Sequence, residues 1–488
     1  MDVVPAGRPL RPVRRRVALT SLARAVPTLA LVGAGVAIAS TSPGGHFGLV
    51  LAVVPFLAAA VHSVAVTALI GALTVTLYAV LRHWLTADST DVWLIKLGFL
   101  VASAGVAVLI SHARAKQQQL ERSRDVALAL QEGLLPQRMP RNSAVETAYR
   151  YVPADTAAGV GGDWFDVIPL SGTRVALVMG DVVGHGIHAA AMMGRLRTAV
   201  HTLADLDLAP DELLSRMDDL AVRLADDDAD RELGATCLYM VYDPISRQCT
   251  VASAGHTPPA LVHPDGTVEF QRLTENPPLG VGGTLFESTE ATLAEGTVIA
   301  LYTDGLLDLR HQGTDTAIAA LARALRPAGG GLDALCDRVW AGLPAEHDDD
   351  VALLLARTRT LPPDDVAAWE FPALPESVPA ARAAVSARLA AWDLTAHTFA
   401  TELVVSELLT NAVTHARGPV ALRLIRDGAL ICEVSDASDT APHIRRAGPL
   451  DEGGRGLFLV AEVADRWGTR YSRDGKTIWV EQRFDSRP

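Results

Sequence analysis

Four apolar runs, at about 26–42, 48–61, 64–81 and 93–111, crowd into the N-terminal part of the chain, where charge almost vanishes. A membrane-spanning helix needs about 20 apolar residues, with a lower limit near 17. The second and third runs are split only by His62 and Ser63, so the middle block is a tight helical hairpin or one over-long helix. Four spans are expected. "RPLRPVRRR" precedes the first run and "HARAK" follows the last, and positive flanks stay cytoplasmic, so both ends lie inside and the protein is expected to be multi-pass in the cell membrane. "AIAS" at 37–40 resembles a signal-peptide cleavage site, but three more apolar runs follow at once. No acid interrupts the runs, which argues for an anchor or sensor over an ion path.

Beyond the membrane region (1–112), "RAKQQQLERSRDVALALQEGLLPQ" continues without Gly or Pro until Gly133. Val126, Leu130 and Leu134 recur every four residues, as on one helical face, so 113–140 reads as a helical stalk that continues the last span. Such a stalk either pairs with a second copy, giving a homodimer, or packs on its own domain. Residues 141–357 alternate β-rich runs with turns, and one clear helix, "GIHAAAMMGRLRTAVHTLA", follows the first motif. Proline-rich sequence at 358–376 reads as a linker. A last domain, 377–488, begins with helical patterning and ends in strand-like pieces. The formal net charge of −13 argues against a nucleic-acid partner. Four scattered cysteines without a C-x-x-C pair read as core thiols, not as a zinc site or disulfides.

In "RVALVMGDVVGHG" an apolar run stops at Asp181, with glycines close behind. "GVGGDWFD" puts Asp163 after two glycines, "IALYTDG" ends a run at Asp304, and "EHDDDVALLL" presents Asp348, Asp349 and Asp350 before a run. Any one Asp-Gly pair is equally well a turn former. Four such sites beside apolar runs argue for carboxylates converging at a sheet edge. Oxygen-only ligands favour Mg²⁺ or Mn²⁺. Two such ions lower the pKa of a bridging water and clamp an in-line displacement at phosphorus. From the residues alone, the register of the acid in "HDDDVALLL" is open by one.

Together "VGGDWFD", "GDVVGHG", "AGHTPP", "YTDG" and "DDDVALLL" resemble the metal-dependent serine/threonine phosphatases of the protein phosphatase 2C-like superfamily (PPM). The stalk sequence "ALALQEGLLPQRMP" is similar to that of its bacterial sporulation stage II protein E branch. The resemblance implies an α/β sandwich of two β-sheets flanked by helices. It also implies metal ligation by Asp163, Asp181, the Val182 carbonyl, Asp304 and Asp349, the last because the family's ligand stands two residues before the strand. Asp181 and Asp304 would be the catalytic pair. His185 and His256 lie in family motifs and are read as structural imidazoles bonded to nearby backbone.

"TELVVSELLTNAVTHA" sets Glu407, Asn411 and His415 four residues apart on one helical face. "EVSDAS" ends a strand at Asp436, and "DEGGRGLFLVAEVAD" is a Gly-rich loop entering a helix, whose bare amides suit phosphate. These pieces resemble the GHKL ATPases, and more closely their anti-sigma-factor serine kinases. That resemblance implies an α/β sandwich binding ATP with Mg²⁺, with Glu407 as general base and Asn411 as Mg²⁺ ligand. It gives Asp436 to adenine and Gly453, Gly454 and Gly456 to the phosphate loop. The family's Asp-x-Gly-x-Gly reads "DASDT" here. The expected function is a membrane-anchored phosphatase acting on a phosphorylated anti-sigma-factor antagonist. Its C-terminal domain is the opposing serine kinase or a binder of the antagonist or a sigma factor. A sensor histidine kinase lacks its phosphoacceptor helix here, and a partner-sequestering scaffold is the other alternative.

Overall fold

The computed structural model describes residues 47–80, 89–134, 142–152, 161–184, 187–226, 234–308, 314–326, 331–341, 349–416, 418–438, 456–472 and 475–484. The apolar run at 26–42 and the arginine-rich segment before it lie outside the described residues, as do His185, Asp348, Gly453 and Gly454. The chain divides into two compact units, Met1–Asp125 and Val126–Pro488.

The first unit contains α1 (Phe47–Val61), α2 (Val64–Val80) and most of α3 (Thr90–Leu134). The His62–Ser63 break makes the middle apolar block two helices, and α1 and α2 pack on each other. Small residues let α2 approach α3: a Cβ on Gly71 would lie 3.1 Å from the Ala104 Cβ, and Thr67 Oγ1 donates to Ser111 Oγ at 3.4 Å. Among the described residues, one helix is long and apolar enough to cross a membrane, Thr90–Gln119. The helices α1 and α2 have 15 and 17 residues. At 1.5 Å per residue they reach about 23 and 26 Å, short of about 30 Å of hydrocarbon. Of the four expected spans, the described residues hold one helix long and apolar enough to cross and two shorter apolar helices, and the first run lies outside them. As expected, α3 runs unbroken from apolar sequence into the stalk.

In the second unit, two five-stranded antiparallel sheets stack. One has the order β1 (Val145–Val152), β10 (Val351–Thr358), β9 (Val298–Tyr302), β6 (Ala260–Val262), β7 (Val268–Phe270). The other runs β2 (Trp164–Pro169), β3 (Val175–Val182), β4 (Ala235–Tyr242), β5 (Gln248–Ala254), β8 (Ser288–Thr292). Alternation along β3 explains the layers. Val175, Leu177 and Met179 point into the core between the sheets, with Leu301 and Leu354 of the other sheet. Ala176 and Val178 point outwards under α4 (Ile187–Ala204) and α5 (Pro210–Asp226). The short helix α6 (Gly305–Asp308) with α7 (Thr314–Leu325) and α8 (Leu332–Ala341) covers the other sheet through Leu306, Leu321, Leu325 and Val339. Helix, sheet, sheet and helix make the sandwich that the resemblance implied.

The C-terminal sheet has the order β11 (Val366–Phe371), β12 (Val420–Arg426), β13 (Ala429–Asp436), β15 (Gly475–Arg483), β14 (Arg466–Ser472), all antiparallel. On one face lie α9 (Ser377–Ala391), α10 (Thr398–His415) and α11 (Gly456–Val463). Val404, Leu408 and Leu409 of α10 pack there against Leu422, Leu424 and Val434. Strand β11 falls inside the stretch read as a linker. Its six residues contain no proline and alternate in burial, which suits a sheet edge. All four cysteines are free and buried, as core thiols.

Candidate metal and nucleotide sites

The first candidate site lies at one end of the sandwich. Trp164 pairs with Gly180, so Asp163, just before β2, comes beside Asp181 near the end of β3. In the other sheet Leu353 pairs with Tyr302, so Asp304, two residues past β9, and Asp350, just before β10, come together. Two glycines close the gap between sheets. A Cβ on Gly162 would fall 2.3 Å from the Val182 carbonyl oxygen, and one on Gly161 only 1.2 Å from Asp350 Oδ2. Neither position tolerates a side chain without displacing a group of the cluster.

Electrostatics mark the cluster as strained for protein alone. Burial raises the Asp163 carboxyl well above its usual range, and Asp181 and Asp350 raise it further, against a hydrogen bond from the Thr303 hydroxyl. Its Oδ2 is buried with no hydrogen-bond partner. Burial, then Asp304 and Asp349, lift Asp181 from 3.8 to about 7. An orphaned carboxylate oxygen among acids that raise one another fits a polyvalent cation, and an all-oxygen donor set fits Mg²⁺ or Mn²⁺. As placed, no three acid, imidazole or thiol groups among the described residues stand close enough together to hold a metal ion.

Asp163, Asp181, Asp304 and the Val182 carbonyl thus gather at one end. Asp349 is exposed and accepts a hydrogen bond from the Asp350 amide at 2.8 Å. Asp350, which the sequence reading left out, is 4% exposed and reaches the cluster itself. The run of three aspartates signalled the site but not which member turns inward. His256 is buried, its pKa lowered by burial to about 4, and its Nδ1 lies 2.7 Å from the Thr236 hydroxyl. A hydrogen bond with the Tyr302 backbone opposes that shift, so the imidazole meets backbone, as expected, and the Thr236 side chain besides.

The second candidate site lies on the helical face of the C-terminal sheet. Glu407 and Asn411 of α10 are half-buried, and His415 is exposed. A Cβ on Gly456, the first residue of α11, would lie 2.4 Å from Glu407 Oε2, so α11 starts directly against that carboxylate. Asp436 ends β13, is 7% exposed, and accepts from the Ser438 amide at 2.8 Å. Lys476 Nζ, equally buried, donates to the same Asp436 oxygen at 3.3 Å and also to the Ser438 hydroxyl. Sequence reading missed Lys476; the departure "DASDT" was its trace, since Ser438 stands where the family has glycine.

Residues 171–359 match the family model of Stage II sporulation protein E, and residues 371–481 that of the histidine kinase-like ATPase domain. The phosphoserine phosphatase RsbU of Bacillus subtilis (strain 168) is 24% identical over 200 residues, covering 41% of this chain and 57% of that protein. The phosphoserine phosphatase RsbP of the same organism is 26% identical over 155 residues, covering 32% of this chain and 38% of that protein. The chain therefore spans little more than half of one relative and less than half of the other. The crystal structure of the RsbU and RsbW domains of a Mycobacterium tuberculosis protein aligns with 72% of this chain and 97% of its own, at 28% identity and a TM-score of 0.43.

Proposed function

We propose that this chain, which carries a Stage II sporulation protein E-type phosphatase domain followed by a histidine kinase-like ATPase domain and is homologous to RsbU and RsbP, is a metal-dependent protein serine/threonine phosphatase. Its substrate is a phosphorylated regulatory protein of the anti-sigma-factor-antagonist type. The observation that carries the reading is the cluster at the sandwich end, with the orphaned Asp163 oxygen at its centre.

Asp163, Asp181, Asp304, Asp349 and the Val182 carbonyl would hold the metal. Asp350 stands beside Asp163 as an additional donor. Two divalent ions would supply there an activated water and charge neutralisation for the phosphoryl oxygens. The chain's own part is positioning. Strand ends fix the carboxylates, Gly161 and Gly162 keep side chains out of the gap, and the Thr303 hydroxyl holds Asp163 towards its ionised form. Neutral His256 stiffens the strand opposite Asp181 through Thr236.

In the C-terminal domain Asn411 would hold Mg²⁺, Glu407 would orient the reacting hydroxyl, and Gly453, Gly454 and Gly456 would face ATP phosphates. This domain acts as the opposing serine kinase or as a binder of the antagonist or a sigma factor. The buried Lys476 on Asp436 favours binding over turnover, because it occupies the carboxylate that would read adenine. The apolar helices anchor the chain in the cell membrane, with the phosphatase and ATPase-like domains in the cytoplasm. Outward-facing Leu69, Leu73, Ile95 and Leu109 suit contact with lipid. The stalk suits pairing with a second copy.

The test is phosphate release from a phosphoserine protein by the full chain in lipid nanodiscs with Mn²⁺. Even outer-shell partners of a metal cost about 10–100-fold, so Asp304→Asn should lose more than about a hundredfold while circular dichroism stays unchanged. Undiminished hydrolysis by that variant refutes the assignment.

A further inference from the structure

The face of the C-terminal sheet that carries no helices is covered by the phosphatase sandwich. Ile425 and Ile431 pack there with Leu361 and with Ile245 from the β4–β5 turn. Ser143, just before β1, donates to Asp427. Beside this apolar contact stands a charged one. Glu433, with a side chain 2% exposed, accepts from Arg423 Nε at 2.7 Å and from Arg470 Nη1 at 3.3 Å. Arg470 Nη1 also donates to Ser171 Oγ at 3.2 Å, across the contact between domains. Ser171 Oγ donates to Asp207 and accepts from Arg174 Nη2 at 3.0 Å, and the same nitrogen donates to Asp207 Oδ1 at 2.7 Å. One hydroxyl thus uses its donor and both acceptor positions. Burial pushes the Glu433 carboxyl up, but Arg470 and Arg423 outweigh it and hold the pKa below its ordinary value.

Ser171–Thr173 is the turn joining β2 to β3, and a Cβ on Gly172 would lie 2.3 Å from Glu433 Oε1. The other end of this hairpin carries Asp163, Asp181 and Val182. Eight residues of β3 separate the two ends, about 26 Å at 3.3 Å per residue. The turn is therefore gripped by the C-terminal domain while the far tips bear the candidate metal ligands. A packed strand pair has little freedom to absorb movement along its length.

We propose that the C-terminal domain is a structural part of the phosphatase centre. Arg470 and Glu433 are positioning residues that seat the β2–β3 turn and, through the hairpin, set Asp163 and Asp181. This rests on the phosphatase reading above. The removal of Arg470 frees the turn without touching the aspartates, so the metal site loosens and the catalytic step slows.

The test uses the full chain in nanodiscs with Arg470→Met, and with Ser171→Ala should the first variant fold poorly. Small misplacements of a catalytic constellation cost about 10- to 100-fold. The variant should show a kcat lowered by about that factor, a higher Mn²⁺ concentration for half-maximal rate and an unchanged peptide KM. Amide hydrogen exchange should accelerate along β2 and β3. Arg470→Lys, which keeps the charge, should recover part of both effects. Exchange along β2–β3 and an Mn²⁺ requirement identical to wild type would overturn the proposal. If wild type itself releases no phosphate, the phosphatase reading fails. Exchange along β2–β3 then still decides whether the turn is seated from the C-terminal domain.

Discussion

Asp163 has an oxygen without a partner, in a place where burial, Asp181 and Asp350 all oppose its charge. Natural proteins rarely leave such a group unless something else satisfies it. The same strain has a signature in solution. Asp163 and Asp181 both have folded-state pKa values raised above those of the unfolded chain, Asp181 from 3.8 to about 7. Their protonated forms therefore favour the fold fully below about pH 4, and that contribution is lost as pH rises through about 7. Urea unfolding of the chelator-treated protein should show stability falling over that window. Asp181→Asn should flatten the fall, and added Mn²⁺ should reverse it. A stability that rises from about pH 4 to about pH 7 in wild type and variant alike would contradict the picture of mutually raised carboxyls.

At the scale of elements, the strands were legible because their apolar runs are short and end on glycine or aspartate. "RVALVMG", "TVIALYTDG" and "DVALLLA" became β3, β9 and β10, with β3 running past Asp181 to Val182. Helices α5, α7 and α8 were not read, although "DELLSRMDDLAVRLA" buries Leu213, Leu214, Met217 and Ala221 at helical spacing. The motifs on either side drew the reading towards β structure. Strand β11 hid behind neighbouring prolines. The inward turn of Asp350 over Asp349 was beyond reach, since it depends on how the chain enters β10. In the C-terminal domain α10 was fully legible, from its i, i+4 polar face. The helix places Glu407 against the start of α11. Asn411→Ala should lower MgATP affinity by more than about tenfold, as loss of a metal-orienting group does. Equilibrium dialysis with labelled ATP measures it, and equal affinity in the variant and wild type would remove the nucleotide assignment.

Across the whole molecule, sequence reading separated membrane, phosphatase and ATPase regions but saw no contact between them. Contacts between distant segments leave no local pattern, so the Arg470–Ser171 link and the covered face of the C-terminal sheet came only from the fold. The apolar region was legible in outline: the runs read at 48–61 and 64–81 match α1 and α2, and His62–Ser63 marked the break between them. The central claim is that remote oxygen donors, brought to one end of the sandwich, bind divalent cations. Calorimetric titration of Mn²⁺ into the nucleotide-free full chain tests it most directly. The account predicts about two ions per chain, with binding strongly weakened in Asp163→Asn and in Asp304→Asn. No Mn²⁺ binding to wild type, or identical binding in both variants, would contradict it.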